Sequence, residues 1–243
     1  MTTVRVLGSG DAFNSGGRFF PSFHVSSSSA TFLIDCGPTA LLAMKRHELD
    51  PDALDAVLIS HFHGDHFGGL PFLELELAIL RRRSRPLIIA GPPEVEQRVP
   101  AAMAALYPAL RSSERLRMEY VAWRVGDQVS VGSVRVGSFA AIHTPETNPH
   151  MLRIEVDDKI IAYSGDTEWS DDLIALADGA DLLICESSTF ALKVKNHLDY
   201  QTIMQHRDEL RCERLLLTHM SEEMLRQLPV ETETATDGLL IRL

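Results

Sequence analysis

The chain has 243 residues, of which 45% are hydrophobic and 23% are charged, as in an ordinary globular protein, and we expect one domain spanning 1–243. No apolar run approaches the roughly 18 to 20 residues that cross a bilayer, and no signal peptide is visible, so we expect a cytoplasmic protein without membrane attachment. The formal net charge of −11 argues against a long nucleic acid as partner, because such partners usually bind a basic surface.

The first half of the chain alternates short apolar strands with helices. The patterns predict, in order, strands at 2–10 and 30–37, a helix at 38–49, and a strand at 55–60. Segment 70–83 fits either a strand or a helix, and we predict a helix because Leu, Glu, Ala and Arg favour one. A strand at 86–91 and a helix at 93–110, broken at Pro100 and Pro108, follow.

The second half is first β-rich and then alternates again. Strands are predicted within 117–125, 128–144 and 150–167, the last as a hairpin, and then at 180–187 and 213–219, with helices at 170–179, 200–211 and 221–228. Two β-rich halves, each with helices, indicate two sheets packed face to face with helices outside. Loops at one end of the sheets would then carry the functional site.

Two minor features have structural interpretations. Cys36, Cys185 and Cys212 are widely spaced, which favours buried reduced thiols over a disulfide or a zinc site. The basic run Arg81–Arg85 is interpreted as the solvated end of a helix in preference to a polyanion site.

The segment Ser60–His66, "SHFHGDH", carries the strongest chemical signal. It places His61, His63, Asp65 and His66 directly after a predicted strand, with glycines that permit a tight turn. Imidazole nitrogen and carboxylate oxygen are ligands of zinc and similar ions. The first two histidines can converge on one ion while the aspartate and the third histidine turn towards a second.

Three further ligand candidates follow later strand-like runs. They are His143, Asp166 and His219. Together with the cluster they complete a site for two ions, in which Asp166 bridges, His143 joins His61 and His63, and His219 joins Asp65 and His66. Two divalent ions are therefore predicted, most simply Zn²⁺, although the same ligands accept Mn²⁺ or Fe²⁺.

The order of these motifs resembles that of metallo-β-lactamase superfamily hydrolases. The resemblance covers nearly the whole chain, from "LGSGDAF" and "LIDCG" through "SHFHGDH", "IHT" and "YSGDT" to "LTH". It implies an α/β fold, the metallo-β-lactamase-like αββα four-layer sandwich, with the metals at one edge of the sheets.

Within the superfamily the chain is similar to the ribonuclease Z-like and cyclic-phosphate phosphodiesterase branch. The marks are the loop "GSGDAFNSGGR", the final "LTH" and an additional histidine, His197. In ribonuclease Z-like enzymes a histidine in that region stabilises the phosphate or protonates the leaving group. Leu198 and Asp199 depart from the usual continuation of that motif, so a structural or helix-capping role for His197 stays open.

True ribonuclease Z enzymes hold the tRNA body with a long arm, which in many bacterial members lies between the ligands that match His143 and Asp166. Only 22 residues separate these two positions here, and one hairpin uses them. The resemblance therefore favours a small-molecule or short phosphodiester substrate over tRNA.

The resulting hypothesis is a dinuclear metal-dependent phosphodiesterase acting on a cyclic or small phosphodiester or an RNA end. A metal-bridging hydroxide would attack, Asp65 would orient it, and His197 would protonate the leaving group. The alternatives are a hydrolase of an ester, thioester or lactone, a tRNA 3′-end endonuclease, and a non-catalytic metal-binding module. The apolar stretch Leu70–Leu80 and the related enzymes also suggest a homodimer.

Three residues are candidates for supporting roles. Asp35 would support the metal loop, as the matching aspartate does across the superfamily, or merely form a turn. Glu186 would orient His197 or cap the following segment. Arg18, in a glycine-rich loop whose backbone N–H groups could approach an anion, would bind substrate or lie on a surface loop.

Overall fold

The computed structural model describes residues 1–110 and 116–243. In the described residues, the first sheet has seven strands: β1 (Thr3–Gly8), β2 (Ser22–Ser26), β3 (Thr31–Ile34), β4 (Ala56–Leu58), β5 (Leu87–Gly91), β6 (Met118–Ala122) and the last strand, β14 (Leu240–Arg242). The second sheet comprises β7 (Gln128–Val131), β8 (Val134–Ala140), β9 (His150–Val156), β10 (Lys159–Tyr163), β11 (Leu182–Glu186), β12 (Leu215–Thr218) and β13 (Glu233–Thr234).

Each sheet combines an antiparallel half with a parallel half. The first is ordered β14-β1-β2-β3-β4-β5-β6 and becomes parallel from β3 onwards, and the second is ordered β13-β12-β11-β10-β9-β8-β7 and is parallel from β10 to β13. Neighbouring parallel strands end at the same edge of a sheet, where ligand sites form in α/β proteins. Most predicted site residues follow the carboxyl ends of the parallel-paired strands β3, β4, β10, β11 and β12, and His143 follows β8.

Helices cover the outer face of each sheet. The first sheet is covered by α1 (Ala40–Arg46), α3 (Leu70–Leu75), which continues as a π-helical turn over Glu76–Leu80, and α4 (Val95–Leu106). The short helix α2 (Gly64–Phe67) lies within the histidine cluster. The second sheet is covered by α5 (Asp172–Ala177), α6 (Tyr200–Gln205) and α7 (Glu222–Leu225).

The strand pleat divides the apolar side chains into three packed layers. Leu182 points into the cluster between the two sheets, whereas its neighbour Leu183 points into the cluster beneath α5 and α6. Leu33 and Leu73 belong to a third cluster, between the first sheet and its helices. This alternation is expected of strands buried on both faces. The predicted αββα sandwich is confirmed.

Several local predictions need correction. Pro100 does not break its helix, because α4 runs through it and is held by the buried side chains of Val95, Val99 and Met103. The helix ends at Leu106, just before Pro108, as the second break predicted. Strands β2, β13 and β14 were not predicted, since each is short and gains its stability from neighbouring strands.

The cysteines and the basic run have structural roles. Cys36 and Cys185 are buried free thiols, as predicted, and Cys212 is half-buried. Two arginines of the basic run bond to the protein itself: the Arg83 side chain is buried and bonds the carbonyl oxygens of Leu54 and Pro86, and Arg85 pairs with Asp55. Across the part of the chain that the structure describes, no helix is both long and apolar enough to span a bilayer.

The packing between the sheets predicts a measurable stability difference. Leu182→Ala removes a fully buried side chain between the sheets and should lower the free energy of unfolding by about 2–5 kcal/mol. Leu106→Ala, at a leucine that is 53% exposed, is the matched control and should cost less than about 1 kcal/mol. Urea unfolding monitored by circular dichroism measures both, and equal losses would contradict this account of the core.

Candidate metal centre

The histidine cluster is held against the end of β3 by close backbone contacts. The Cys36 N–H donates to the His66 carbonyl oxygen at 2.6 Å, and the Gly69 N–H donates to the Cys36 carbonyl oxygen at 2.8 Å. A Cβ atom on Gly69 would lie 2.2 Å from the Gly37 carbonyl oxygen. Glycine is therefore required at position 69 for the metal loop to pack against this strand end.

Four predicted ligands form a first group of converging atoms. The Nε2 atoms of His61 and His143 lie 3.1 and 3.0 Å from His63 Nδ1. Both Nε2 atoms also lie 3.8 Å from Asp166 Oδ2. We call this group, His61, His63, His143 and Asp166, ligand group one.

The remaining predicted ligands form a second group beside the first. His66 Nε2 lies 3.3 Å from both Asp65 Oδ2 and Asp166 Oδ1. His219 Nε2 lies 3.4 Å from Asp65 Oδ2 and 3.5 Å from Asp166 Oδ2. Ligand group two is therefore Asp65, His66, Asp166 and His219, and it shares the Asp166 carboxylate with group one.

The chemistry of these atoms fits divalent cations. His66 Nε2 and Asp166 Oδ1 are buried without a hydrogen-bond partner, and burial of unpaired polar atoms costs free energy unless another group binds them. Nitrogen and carboxylate oxygen in these proportions suit zinc or a similar transition metal. The residues present therefore fit two metal ions.

Electrostatics divide the imidazoles into two classes. Burial lowers the pKa of His61, His63 and His143, which favours the neutral form that binds metals. Burial also opposes the charge on His219, but Asp166 and Asp65 outweigh it and raise the pKa of His219 to about 9. A cation must displace that proton, so metal affinity is expected to fall as the pH falls.

Asp35 is fully buried and is linked to both ligand groups, directly to His66 and through Ser60 to His61. Its Oδ2 accepts hydrogen bonds from His66 Nδ1 at 2.6 Å and from the hydroxyls of Ser60 and Tyr163, each at 2.8 Å. The Ser60 hydroxyl lies 3.0 Å from His61 Nδ1. One carboxylate thus contacts His66 directly and His61 through Ser60, and these contacts favour a supporting role for Asp35 over a simple turn.

Glu186 contacts His197 and not the backbone of the segment that follows it. Its Oε2 accepts from His197 Nδ1 at 2.9 Å, and its Oε1 accepts from the Thr167 backbone N–H. Glu186, His197 and His219 also lie close enough to form a third ligand group. Because both oxygens of Glu186 already accept hydrogen bonds, the geometry favours orientation of His197 over metal binding.

Asn196 connects the loop that carries His197 to ligand group one. Its backbone is left-handed, with φ of 70°, and its carbonyl oxygen accepts from His143 Nδ1 at 2.8 Å. The Asn196 N–H donates to Glu168 Oε1 at 2.6 Å. Asparagine tolerates this conformation better than most residues, but its part in the site carried no recognisable sequence signal.

Both ligand groups open into one cavity of about 530 Å³. Side chains from two loops line it: Asp11, Ala12 and Phe13 from the loop after β1, and Ser188, Thr189, Val194, Lys195 and His197 from the loop after β11. The lysine on this lining, Lys195, was not among the residues predicted from the sequence. Its position two residues before His197 is the signal that could have found it.

Arg18 does not line the cavity, contrary to the substrate-binding expectation. Its guanidinium bonds the Ala235 carbonyl oxygen at 2.6 Å and the Ser9 hydroxyl at 3.2 Å, so it fastens the loop to the C-terminal segment. Two of the loop N–H groups already have partners, since Gly10 donates to the Phe19 carbonyl oxygen and Gly16 to the Glu222 side chain. These two groups are therefore not available to an anion.

Comparison with known proteins assigns the family. The model of the family described as Anti-Pycsar protein Apyc1 matches residues 2–239. The chain belongs to this family. Both ligand groups and the His197–Glu186 pair lie within the matched residues of this Apyc1 family protein.

Relatives and solved structures extend the likeness of this Apyc1 family protein. It is 27% identical to the Ribonuclease Z of Methanothermobacter thermautotrophicus, over 93% of this chain and 89% of that protein. Its fold matches the metallo-β-lactamase fold protein YhfI from Bacillus subtilis, at TM-score 0.78 and 20% identity over 100% of both chains. A diphosphatase from the PhnP family also matches, at TM-score 0.78 and 18% identity over 100% of this chain and 98% of that one. The predicted ribonuclease Z-like membership of the metallo-β-lactamase superfamily is confirmed.

The position of Asp35 leads to a prediction about metal affinity. In Asp35→Asn the amide presents an N–H where donors of His66 and Ser60 now point, so His66 and, through Ser60, His61 lose their orientation. We expect metal affinity to fall by about 10- to 100-fold while the fold is retained. Titration of the metal-free variant with Zn²⁺ against a competing chelator measures this, with Asp158→Asn in the exposed β9–β10 turn as control. Unchanged affinity would show that Asp35 does not orient the ligands.

Proposed function

We propose that the protein is a dinuclear metal-dependent phosphodiesterase that acts on a small or cyclic phosphodiester or on an RNA end. One observation carries the proposal. Two ligand groups that share Asp166 open into a single cavity, and the cavity also presents a histidine, His197, whose orientation is held by Glu186. Metal-dependent hydrolysis as a class is further supported by relatives named Ribonuclease Z.

Ligand groups one and two would each hold a divalent ion, and zinc is our choice from the donor atoms. When bound, such ions lower the pKa of water from 15.7 towards about 7 and stabilise charge on the attacking and leaving oxygens of a phosphodiester. Asp65 faces the cavity beside His63 and His219. Its carboxylate is placed to accept a proton from the attacking water and so to orient it.

His197 is the proposed general acid. Burial lowers the pKa of His197, but the hydrogen bond and the negative charge of Glu186 outweigh it and raise that pKa above its ordinary value. The imidazolium therefore persists to higher pH than that of a free histidine, and its Nε2–H remains available to a leaving oxygen. Burial and the charge of Asp166 in turn raise the pKa of Glu186.

The size of the substrate is inferred from the surroundings of the cavity. The chain between His143 and Asp166 forms a short 3₁₀ helix and the hairpin β9–β10, which turns between Val156 and Lys159. A cavity of about 530 Å³ accommodates a nucleotide-sized ligand. The second candidate is a tRNA 3′-end endonuclease, which the relative named Ribonuclease Z favours.

We also propose an oligomeric state and a location for the protein. Ile79 and Leu80, in the π-helical turn that continues α3, are 48% and 68% exposed, and this apolar surface favours a homodimer. Free buried thiols suit the reducing cytoplasm.

A substrate panel tests the reaction class. The purified metal-loaded protein should hydrolyse bis(p-nitrophenyl) phosphate and a cyclic nucleotide, because the paired ligand groups suit attack at phosphorus. It should turn over p-nitrophenyl acetate and a lactone far more slowly. Acyl hydrolysis without phosphodiester hydrolysis would favour the ester alternative, and pre-tRNA cleavage faster than cyclic-nucleotide hydrolysis would favour the endonuclease.

The leaving group tests the role of His197. For His197→Ala we expect kcat for a cyclic nucleotide to fall about 10²- to 10⁴-fold, because its alkoxide leaving group needs a proton. The fall for bis(p-nitrophenyl) phosphate should be less than about tenfold, since p-nitrophenolate leaves without one. Metal content should stay unchanged, whereas His219→Ala should lose metal and activity together. Equal losses on both substrates would contradict general-acid catalysis by His197.

A further inference from the structure

One large apolar side chain on the cavity wall has no part in the proposed chemistry. Phe13 lies on the loop after β1 with 87% of its surface exposed, although it lines the same cavity as His63, Asp65 and His219. A phenyl ring left in water forgoes the free energy that burial would supply. An exposed aromatic ring beside a polar site is a common feature of ligand recognition.

The loop that carries Phe13 is held in place by its own hydrogen bonds. Asp11 Oδ1 accepts from the backbone N–H groups of Phe13 at 3.1 Å and Ser15 at 2.9 Å, and its Oδ2 accepts from the Ser15 hydroxyl at 2.7 Å. Asn14 Nδ2 donates to the Arg18 carbonyl oxygen at 2.8 Å. A ring on a pinned backbone loses little conformational freedom when a ligand contacts it.

The same loop is anchored to distant parts of the chain. The Gly16 N–H donates at 2.8 Å to Oε1 of Glu222, the first residue of α7. The backbone N–H groups of Ser9 and Phe19 donate to the Asp237 carboxylate at 2.9 and 2.8 Å. These bonds fix both ends of the loop to the segment between β13 and β14, and its middle to α7.

The cavity is therefore divided into a charged floor and a partly apolar rim. The ligand groups form the floor, and the rim presents Phe13 from one loop and Val194 with Lys195 from the other. A phosphodiester without a further substituent would occupy the floor and leave the side chains of the rim in contact with water. A ligand that fills both parts has a phosphodiester at one end and a flat apolar ring at the other.

We propose that Phe13 is a specificity-determining residue that stacks on the planar base of the substrate. The inference rests on the proposed phosphodiesterase function and adds a binding contact to it. Base–aromatic stacking tolerates different bases, because each base has a π face. Phe13 would therefore select phosphodiesters that carry an aromatic ring without selecting one base strongly over another.

The test compares two substrates that share the same scissile bond. One is a 2′,3′-cyclic nucleotide, and the other is the 2′,3′-cyclic phosphate of methyl riboside, which lacks the base. For Phe13→Ala we expect kcat/KM to fall about 10- to 100-fold on the nucleotide, mainly through KM, and to change less than about twofold on the abasic compound. Phe13→Tyr should restore the nucleotide rate and Phe13→Leu should not. Leu106→Ala, an exposed leucine on α4 outside the cavity lining, is the control and should leave both rates unchanged.

The outcomes separate this inference from the proposed function. If wild type hydrolyses both compounds, and Phe13→Ala either lowers both rates equally or leaves both unchanged, the stacking role is wrong. The proposed phosphodiesterase function is then unaffected. If Phe13→Leu is as active on the nucleotide as wild type, general apolar contact replaces stacking and the inference is also overturned. If metal-loaded wild type hydrolyses neither compound, the small-substrate function fails and the inference fails with it. Metal content and melting temperature of each variant should match wild type, because the ring contributes little to the core.

Discussion

The structure depends on a buried carboxylate that lies between imidazoles. Asp166 is almost fully buried, and its two oxygens face His61, His66, His143 and His219. Burial alone would raise the pKa of Asp166, but His219 and His66 hold it well below the ordinary range. A charge in that position is tolerated only when cations or protonated imidazoles neutralise it. The imidazoles of both ligand groups, on either side of Asp166, supply this neutralisation or hold the cations that do.

The sandwich delivers these side chains with the necessary precision. Ligands follow β4 in the first sheet and β8, β10 and β12 in the second, so each is fixed by a rigid strand end. Supporting contacts then link the parts. Asp35 connects the end of β3 to His66 and, through Ser60, to His61, while Asn196 connects the loop after β11 to His143. The catalytic candidate His197 lies beside Asn196, so one loop carries both the carbonyl oxygen that bonds His143 and the proposed proton donor.

The sequence predicted more of the metal centre than of the cavity. The seven ligand candidates are histidines and aspartates that come just after apolar strands, where polar side chains are uncommon unless they bind something. Their order along the chain also matched a known superfamily. Glu186 and Asp35 could be proposed only with alternatives, because a carboxylate in a turn or strand end has several common uses. Arg18 could be proposed only for substrate binding or for a surface loop, since a glycine-rich loop with an arginine suits anion binding and backbone fastening equally well from sequence. The structure gives it the second use.

Other features were invisible because they depend on contacts between distant segments. Lys195 and Phe13 both line the cavity although 182 positions separate them. Lys195 lies in no recognised motif, and Phe13 lies in "LGSGDAF" but is not a ligand type. Helix α4 passes through Pro100 because its buried face outweighs the lost hydrogen bond, a balance that local propensity does not register. Strands β13 and β14 are two and three residues long and form only because a sheet edge is present.

The central claim is that two ions share Asp166. Anomalous diffraction from crystals of the natively purified protein, recorded at the absorption edge of the metal found by elemental analysis, tests it most directly. The account predicts two peaks per chain, one among His61, His63, His143 and Asp166 and the other among Asp65, His66, Asp166 and His219. A single peak, or peaks away from Asp166, would contradict it.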